Sequence, residues 1–147
     1  MLKGISKIVS PNLLKILCEM GHGDEIVIAD ANFPSETFGA RVIRADGLSG
    51  TEILNAVLSL IPLDTYADTN FFLMNTKKEE PTPEIWAKYF EIANKHDDNL
   101  RATKLERYDF YERAKKAYAV IATGEEAIYA NIIIKKGETS CGYGENI

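Results

Sequence analysis

Apolar and polar positions alternate between two periods along this chain. Leu13, Leu14, Leu17 and Met20 recur at helical spacing. Ser10-Pro11 stands just before them, serine as N-cap and proline at the first helical position. A helix is predicted from Pro11 to about Met20, stopped by Gly21 in left-handed geometry. Glu25 to Ala29 has four apolar residues in five and is bounded by turn formers, which predicts a buried strand. Pro34 to Gly39 reads as loop, and Val42-Ile43-Arg44 as a second short strand turned by Ala45-Asp46-Gly47. Ser49-Gly50-Thr51-Glu52 has the capping-box pattern, so a helix should run from there to about Leu60, where Pro62 bars continuation.

The second half repeats the alternation. Phe71 to Asn75 predicts a strand, and the charged, proline-bearing stretch Thr76 to Pro83 a surface loop. Thr82-Pro83 opens a helix whose Ile85, Trp86, Tyr89, Phe90 and Ile92 fit one face. His96-Asp97-Asp98-Asn99 reads as a polar loop. Ala102 to Tyr108 is expected to be a strand, with Arg107 near its close. Asp109 with Glu112 three residues on then predicts a capped short helix to about Lys116. Ala117 to Ala122 and Asn131 to Ile134 are the last strands, separated by the turn at Thr123-Gly124-Glu125. Helices alternating with strands predict an α/β fold, a three-layer α/β/α sandwich with a mostly parallel, mixed sheet.

Length and charge narrow this further. The 147 residues suit one domain, 1–147, with the glycine-rich polar stretch 138–147 expected to be a mobile tail. A net charge of -5 argues against a nucleic-acid partner, and no apolar run approaches a membrane span. The start at Met1 lacks the apolar core of a signal peptide, so the expected compartment is the cytoplasm. Two cysteines and two histidines give no zinc spacing, and Cys18 reads as a buried member of its helix's apolar face.

Candidate chemistry gathers around one stretch, Gly21-His22-Gly23-Asp24-Glu25 and the strand that follows it. An isolated histidine is more often structural, but two glycines leave the His22 imidazole uncovered, and such a ring can give and take a proton near neutrality. Asp30 ends the strand at the edge where open α/β sheets bind ligands. Arg107 and the run Tyr129-Ala130-Asn131 read by themselves as a surface ion pair and turn chemistry. Phe33, three residues past Asp30 and fixed by Pro34, is a candidate apolar wall, with Phe110 and Tyr111 next in line. Neither a dinucleotide loop nor a nucleophile elbow is present.

Several blocks together go further. They are Met-Leu-Lys-Gly-Ile-Ser at 1–6, Glu19-Met20-Gly21-His22-Gly23-Asp24-Glu25, Asp30-Ala31-Asn32-Phe33-Pro34 and Ile43-Arg44-Ala45-Asp46-Gly47. Pro62-Leu63-Asp64-Thr65-Tyr66, the run from Phe110 to Ala117, Thr123-Gly124-Glu125 and Tyr129-Ala130-Asn131 complete the series. In this order the chain resembles the RbsD/FucU family of sugar mutarotases from Met1 to about Gly137. Gly-His-Gly-Asp and Asp-Ala-Asn-Phe-Pro set it with the fucose branch rather than the ribose branch. The resemblance implies an isomerase that opens and recloses a hemiacetal ring without a cofactor. It implies His22 as proton donor, with Asp30, Arg107, Tyr129, Ala130 and Asn131 contacting a monosaccharide, L-fucose by preference. It also implies a ring-shaped homodecamer with its sites near subunit contacts. A ribose-type pyranase and a non-catalytic sugar-binding module stand as alternatives, and Tyr129, Asp30 and a water are all open as the group that removes the anomeric proton.

Overall fold

The computed structural model describes residues 1–140. The helices are α1 (Pro11–Glu19), α2 (Ser35–Phe38), α3 (Gly50–Leu58), α4 (Glu84–His96) and α5 (Arg107–Lys116). The strands are β1 (Glu25–Ala29), β2 (Val42–Ala45), β3 (Phe71–Met74), β4 (Ala102–Leu105), β5 (Ala119–Thr123) and β6 (Ile132–Lys135). They form one six-stranded sheet in the order β2-β5-β1-β6-β3-β4. β2 and β5, β5 and β1, and β3 and β4 pair parallel. β6 lies antiparallel between β1 and β3, so it is the one strand of the six running against the rest. The expected mixed, mostly parallel sheet is what forms.

Period-two alternation divides the core into two layers. Ile26 and Ile28 of β1 point to one face, where they pack with Leu13 and Leu17 of α1, Ile53 and Leu54 of α3, and Trp86 and Tyr89 of α4. Val27 and Ala29 point to the other, against Phe33, Phe110 and Ala114, with Phe38 of α2 alongside. Both faces of β1 are therefore covered, which is why it reads as a continuous apolar run.

Local chemistry sets the helix starts. The Ser10 hydroxyl accepts from Leu13 N at 3.1 Å, and Pro11 is the first helical residue. Ser49 and Glu52 form the reciprocal capping box. Glu125 adds a third tie, accepting from Gly50 N at 3.2 Å. Gly50 has no room for a side chain, because a Cβ there would run into the Tyr89 hydroxyl.

Several expectations are corrected. Gly21 is not left-handed: α1 ends on an extended Met20, and the positive φ of +85° belongs to Gly23. Cys18 is exposed, since the buried stripe of α1 is Leu13, Ile16, Leu17 and Met20. The stretch Pro34 to Gly39 is not all loop but contains the single turn α2. α4 is capped by Pro83 with no side-chain bond, so Thr82 does not cap it, and His96 is the helix's last residue rather than loop. β4 stops at Leu105, because Glu106 is already the N-cap of α5. Arg107 is thus the first residue of a helix instead of the close of a strand, and Asp109 sits inside that helix's first turn rather than at its cap. Of the tail expected at 138–147, Glu138 to Ser140 are described. Cys141 and the rest lie outside the described residues.

The capping box gives a direct check on this construction. Ser49→Ala removes the side-chain acceptor for Glu52 N and should cost about 1 kcal/mol, lowering Tm by about 3 °C. Thermal unfolding followed by circular dichroism measures it.

Candidate active site

The candidate residues separate into two groups at opposite ends of the sheet. Asp30 follows the carboxyl end of β1, Asn131 precedes the antiparallel β6, and Arg107 follows β4, so all three meet at one edge. His22 precedes β1 and lies at the other. Five strand residues at about 3.3 Å each separate the two by roughly 15 Å. No monosaccharide spans that gap within one chain.

At the carboxyl edge the cleft has a volume of about 430 Å³. Asp30, Asn131, Tyr129 and Arg107 line it together with Phe33 and Tyr111. Asp30 and Asn131, 7% and 6% exposed, are joined twice. Asp30 N donates to Asn131 Oδ1 at 2.7 Å, and Asn131 Nδ2 donates to Asp30 Oδ2 at 3.1 Å. Asp30 Oδ1 accepts from Asn32 N at 3.0 Å. Burial pushes the Asp30 carboxyl above its ordinary pKa, although the donors from Asn32, Phe33, Asn131 and Ala130 pull the other way. Ala130 itself is buried behind the cleft, where its carbonyl accepts from the Tyr89 hydroxyl at 2.8 Å. Its part in the site is thus through the backbone.

Arg107 is exposed and faces the cleft from the first turn of α5. Its Nε donates to the Tyr111 hydroxyl at 2.9 Å, and its guanidinium carbon lies 5.5 Å from the Tyr111 ring centroid. Among the described residues it has no carboxylate partner, so its other donors are open to a ligand's hydroxyls. Phe33 packs edge-on against Phe110 and Tyr111 at centroid distances of 6.0 and 5.8 Å. One side of the cleft is therefore apolar and the other carries hydrogen-bonding groups. Exposed Ile128 and Tyr108 stand beside it.

Tyr129 takes a left-handed φ of +55°. Its carbonyl accepts from Trp86 Nε1 at 2.8 Å, and its hydroxyl donates to Glu80. That contact holds the phenol above its ordinary pKa.

At the amino edge, His22 Nε2 faces Asp64 Oδ1 at 2.8 Å. Asp64 is almost wholly buried. Burial opposes its charge, yet the amide of Ala67 at 2.8 Å, the His22 ring and the amide of Tyr66 outweigh this and hold its carboxyl below the ordinary range. An ionised carboxylate only accepts, so Nε2 carries a proton, and Nδ1 is the nitrogen turned away from Asp64. Nδ1 lies 3.2 Å from Glu138 Oε1, and the Tyr66 ring, itself exposed, lies 5.0 Å from the imidazole. Asp64, Tyr66 and Glu138 were not singled out by sequence reasoning. Asp64 is 42 residues from His22, and in the sequence it stood only as a member of the Pro62 to Tyr66 block, with no role of its own.

Comparison with known proteins places the chain in a family. Residues 3–139 match the RbsD / FucU transport protein family. The chain is 52% identical over 149 residues to a protein of Mus musculus named fucose mutarotase, covering 96% of this chain and 97% of that one. A solved fucose mutarotase from Streptococcus pneumoniae, in complex with L-fucose, superposes with a TM-score of 0.90 at 50% identity, over 95% of this chain and all of the other. RbsD of Bacillus subtilis, solved with D-ribose, superposes at 0.72 with 24% identity over 95% of this chain and all of that one, a likeness of fold alone. With a family model that matches residues 3–139 and relatives at half identity over nearly the whole chain, the chain belongs to the RbsD/FucU family.

Proposed function

We propose that this chain is an L-fucose mutarotase, an isomerase that interconverts the α and β anomers of the pyranose sugar. The observation that carries this reading is the 52% identity to the mouse protein of that name over nearly the full length of both. The likeness to the pneumococcal enzyme solved with L-fucose supports a monosaccharide as substrate. The cleft suits one: hydrogen-bonding groups face an apolar wall at Phe33 and Tyr111, the two sides a sugar with hydroxyls and a methyl group presents.

Mutarotation needs a proton delivered to the ring oxygen and one removed from the anomeric hydroxyl, after which C1–O5 breaks. The aldehyde turns and the ring closes from its other face with both transfers reversed. His22 is the proton donor in this reading, acting through Nδ1 while Asp64 anchors Nε2. Asp30, Arg107, Tyr129 and Asn131 hold the hydroxyls, the charged groups most strongly.

Strand β1 keeps His22 away from its own chain's cleft, so His22 must serve the cleft of another copy. This supports a homo-oligomer, a homodecamer in this reading, with each site shared between two chains. Exposed Tyr66 beside His22 and exposed Ile128 and Tyr108 beside the cleft are apolar surfaces that such a contact would cover. The reading keeps the cytoplasm as the compartment: a free, exposed thiol at Cys18 suits reducing surroundings. Among the described residues no helix is long and apolar enough to cross a membrane.

Saturation transfer between the anomeric protons of L-fucose tests the activity. Exchange should quicken with the protein, and His22→Ala or His22→Gln should lower it about 10²–10⁴-fold. Quickening for ribose alone would favour ring-size interconversion, binding without exchange would favour a sugar-binding module, and full activity in a folded His22→Ala would remove His22 from the reaction.

Mixing tests the shared site. His22→Ala and Asp30→Ala proteins, each inactive alone, should regain activity when unfolded and refolded together, since some sites then combine an intact His22 with an intact Asp30. Light scattering should give ten chains of 16.4 kDa. No regain, or a monomer at full activity, would defeat the shared site.

A pH dependence follows from Asp30. Because its folded pKa is raised above the ordinary 3.8, its charge is lost as pH falls through a value above that range. KM for fucose should therefore rise on that side, and Asp30→Asn should flatten the rise. An unshifted acid limb in the variant would assign it to another group.

A further inference from the structure

One residue holds the His22 loop on both sides of the histidine. Lys136 directly follows β6. Its carbonyl accepts from Gly23 N at 2.8 Å, just after His22, and its amide donates to Asp24 O at 2.9 Å. Its ammonium donates to the Met20 carbonyl, just before Gly21, and lies 3.4 Å from the Leu17 carbonyl. Gly21-His22-Gly23 is therefore pinned at its entry by the Lys136 side chain and at its exit by the Lys136 backbone. The same short segment also holds the partner of the imidazole. Lys136 bridges Leu63, Asp64 N donates to Lys135 O at 3.0 Å, and Gly137 N donates to Pro62 O at 2.9 Å. A Cβ on Gly137 would run into the Leu63 carbonyl, so the two segments pack backbone to backbone.

A histidine between two glycines gets little orientation from its own backbone. Gly23, at φ +85°, has no atom within 4 Å of the place a Cβ would take, so packing does not fix it either. Two further bonds close the loop on itself: Gly21 N donates to Asp24 Oδ2 at 2.7 Å, and Asp24 N donates to Gly21 O at 3.2 Å. Those bonds shape the loop without fixing its place against Asp64. Met20 has already left the helix in extended geometry, so its carbonyl belongs to the peptide that enters the loop. A lysine ammonium offers three donors to such carbonyls. Neighbouring Lys135 spends its charge on Glu25, whereas Lys136, among the described residues, faces carbonyls and no carboxylate.

We propose that Lys136 is a positioning residue for the proton donor, setting the His22 imidazole against Asp64 and toward the cleft of a neighbouring copy. The proposal rests on the mutarotase reading. The His22–Asp64 bond joins two loops, and the 135–137 segment is what both are bonded to. Through that segment one residue sets the register between the ring and its carboxylate. The demand is strict, because misplacing a reacting group by about 1 Å can cost about 10²-fold in rate. The ammonium also answers the carbonyl end of α1, where the helix dipole favours a cation. A cap would need no more than that. What takes Lys136 beyond a cap is the stretch between its two points of attachment, with His22 at the centre.

Lys136→Met keeps the apolar stem and removes the ammonium, while the backbone bonds to Gly23 and Asp24 need no side chain. In the folded variant, kcat for anomeric exchange of L-fucose should fall about tenfold or more, with KM within about threefold, because the sugar is held at the other edge of the sheet. Lys136→Arg, whose guanidinium still donates to the carbonyls, should recover most of the loss. With the two histidines labelled with 15N, the His22 Nε2–H signal is assigned by its absence from His22→Ala. It should be sharp in the unaltered protein and broadened or lost in Lys136→Met. A helix cap alone would lower Tm and leave both the signal and kcat in place. A kcat within twofold of the unaltered protein, an unchanged His22 signal, a loss carried wholly by KM, or a Lys136→Met chain that does not fold would overturn the proposal. An unaltered protein that fails to speed exchange, with the signal still lost in Lys136→Met, would instead defeat the mutarotase reading and leave Lys136 as the residue that orders the imidazole.

Discussion

The reciprocal pair between Asp30 and Asn131 is the contact on which the cleft depends. Each residue sits just outside the strand it belongs to, Asp30 after β1 and Asn131 before β6, and each is almost fully buried. Left unpaired there, either polar group would cost about 1–3 kcal/mol. Paired, they close the end of the β1–β6 ladder and hold the Asp30 carboxylate toward the cleft. The same segment is tied from behind, by Tyr89 to the Ala130 carbonyl and by Trp86 to the Tyr129 carbonyl. The helix layer built from α4 thus reaches through to the ligand edge.

The amino edge uses a different device. Asp64 is buried, but backbone amides hold it ionised, and it spends that charge on one nitrogen of one imidazole. Fixing Nε2 sets the ring's orientation and turns Nδ1 toward Glu138. Two polar clusters at opposite ends of one sheet are each kept ordered by buried hydrogen bonds.

Much of this was legible in the chain, and the failures have particular causes. Ser10-Pro11 and the Ser49–Glu52 box predicted helix starts because their chemistry is local. β1 matched its predicted span residue for residue, since burial on both faces needs an unbroken apolar run. Arg107 was misplaced because Ala102 to Tyr108 has little periodicity, and a short edge strand running straight into a helix leaves no turn signal. Cys18 was assigned to the core because cysteine is usually buried, whereas one step of rotation about α1 puts it outside. Asp30 was readable as a strand end. Asp64 and Glu80 were not, since each gains its meaning only from a partner 42 or 49 residues away. Nor could spacing reveal that His22 and Asp30, only eight apart, face opposite ends of the sheet.

The position of β6 bears on how the sheet closes. It is the last strand among the described residues, yet it occupies the middle of the sheet, between β1 and β3. Without residues 132–135 the sheet would fall into two separate parallel pieces, β2-β5-β1 and β3-β4, each with an unpaired edge. Edges of that kind recruit other strands. Joining them requires contacts more than 100 residues apart in sequence, so the sheet closes late in folding and both edges stay open until it does. A substitution in β6 should thus loosen both halves of the sheet at once, where one in an edge strand would loosen only its own half.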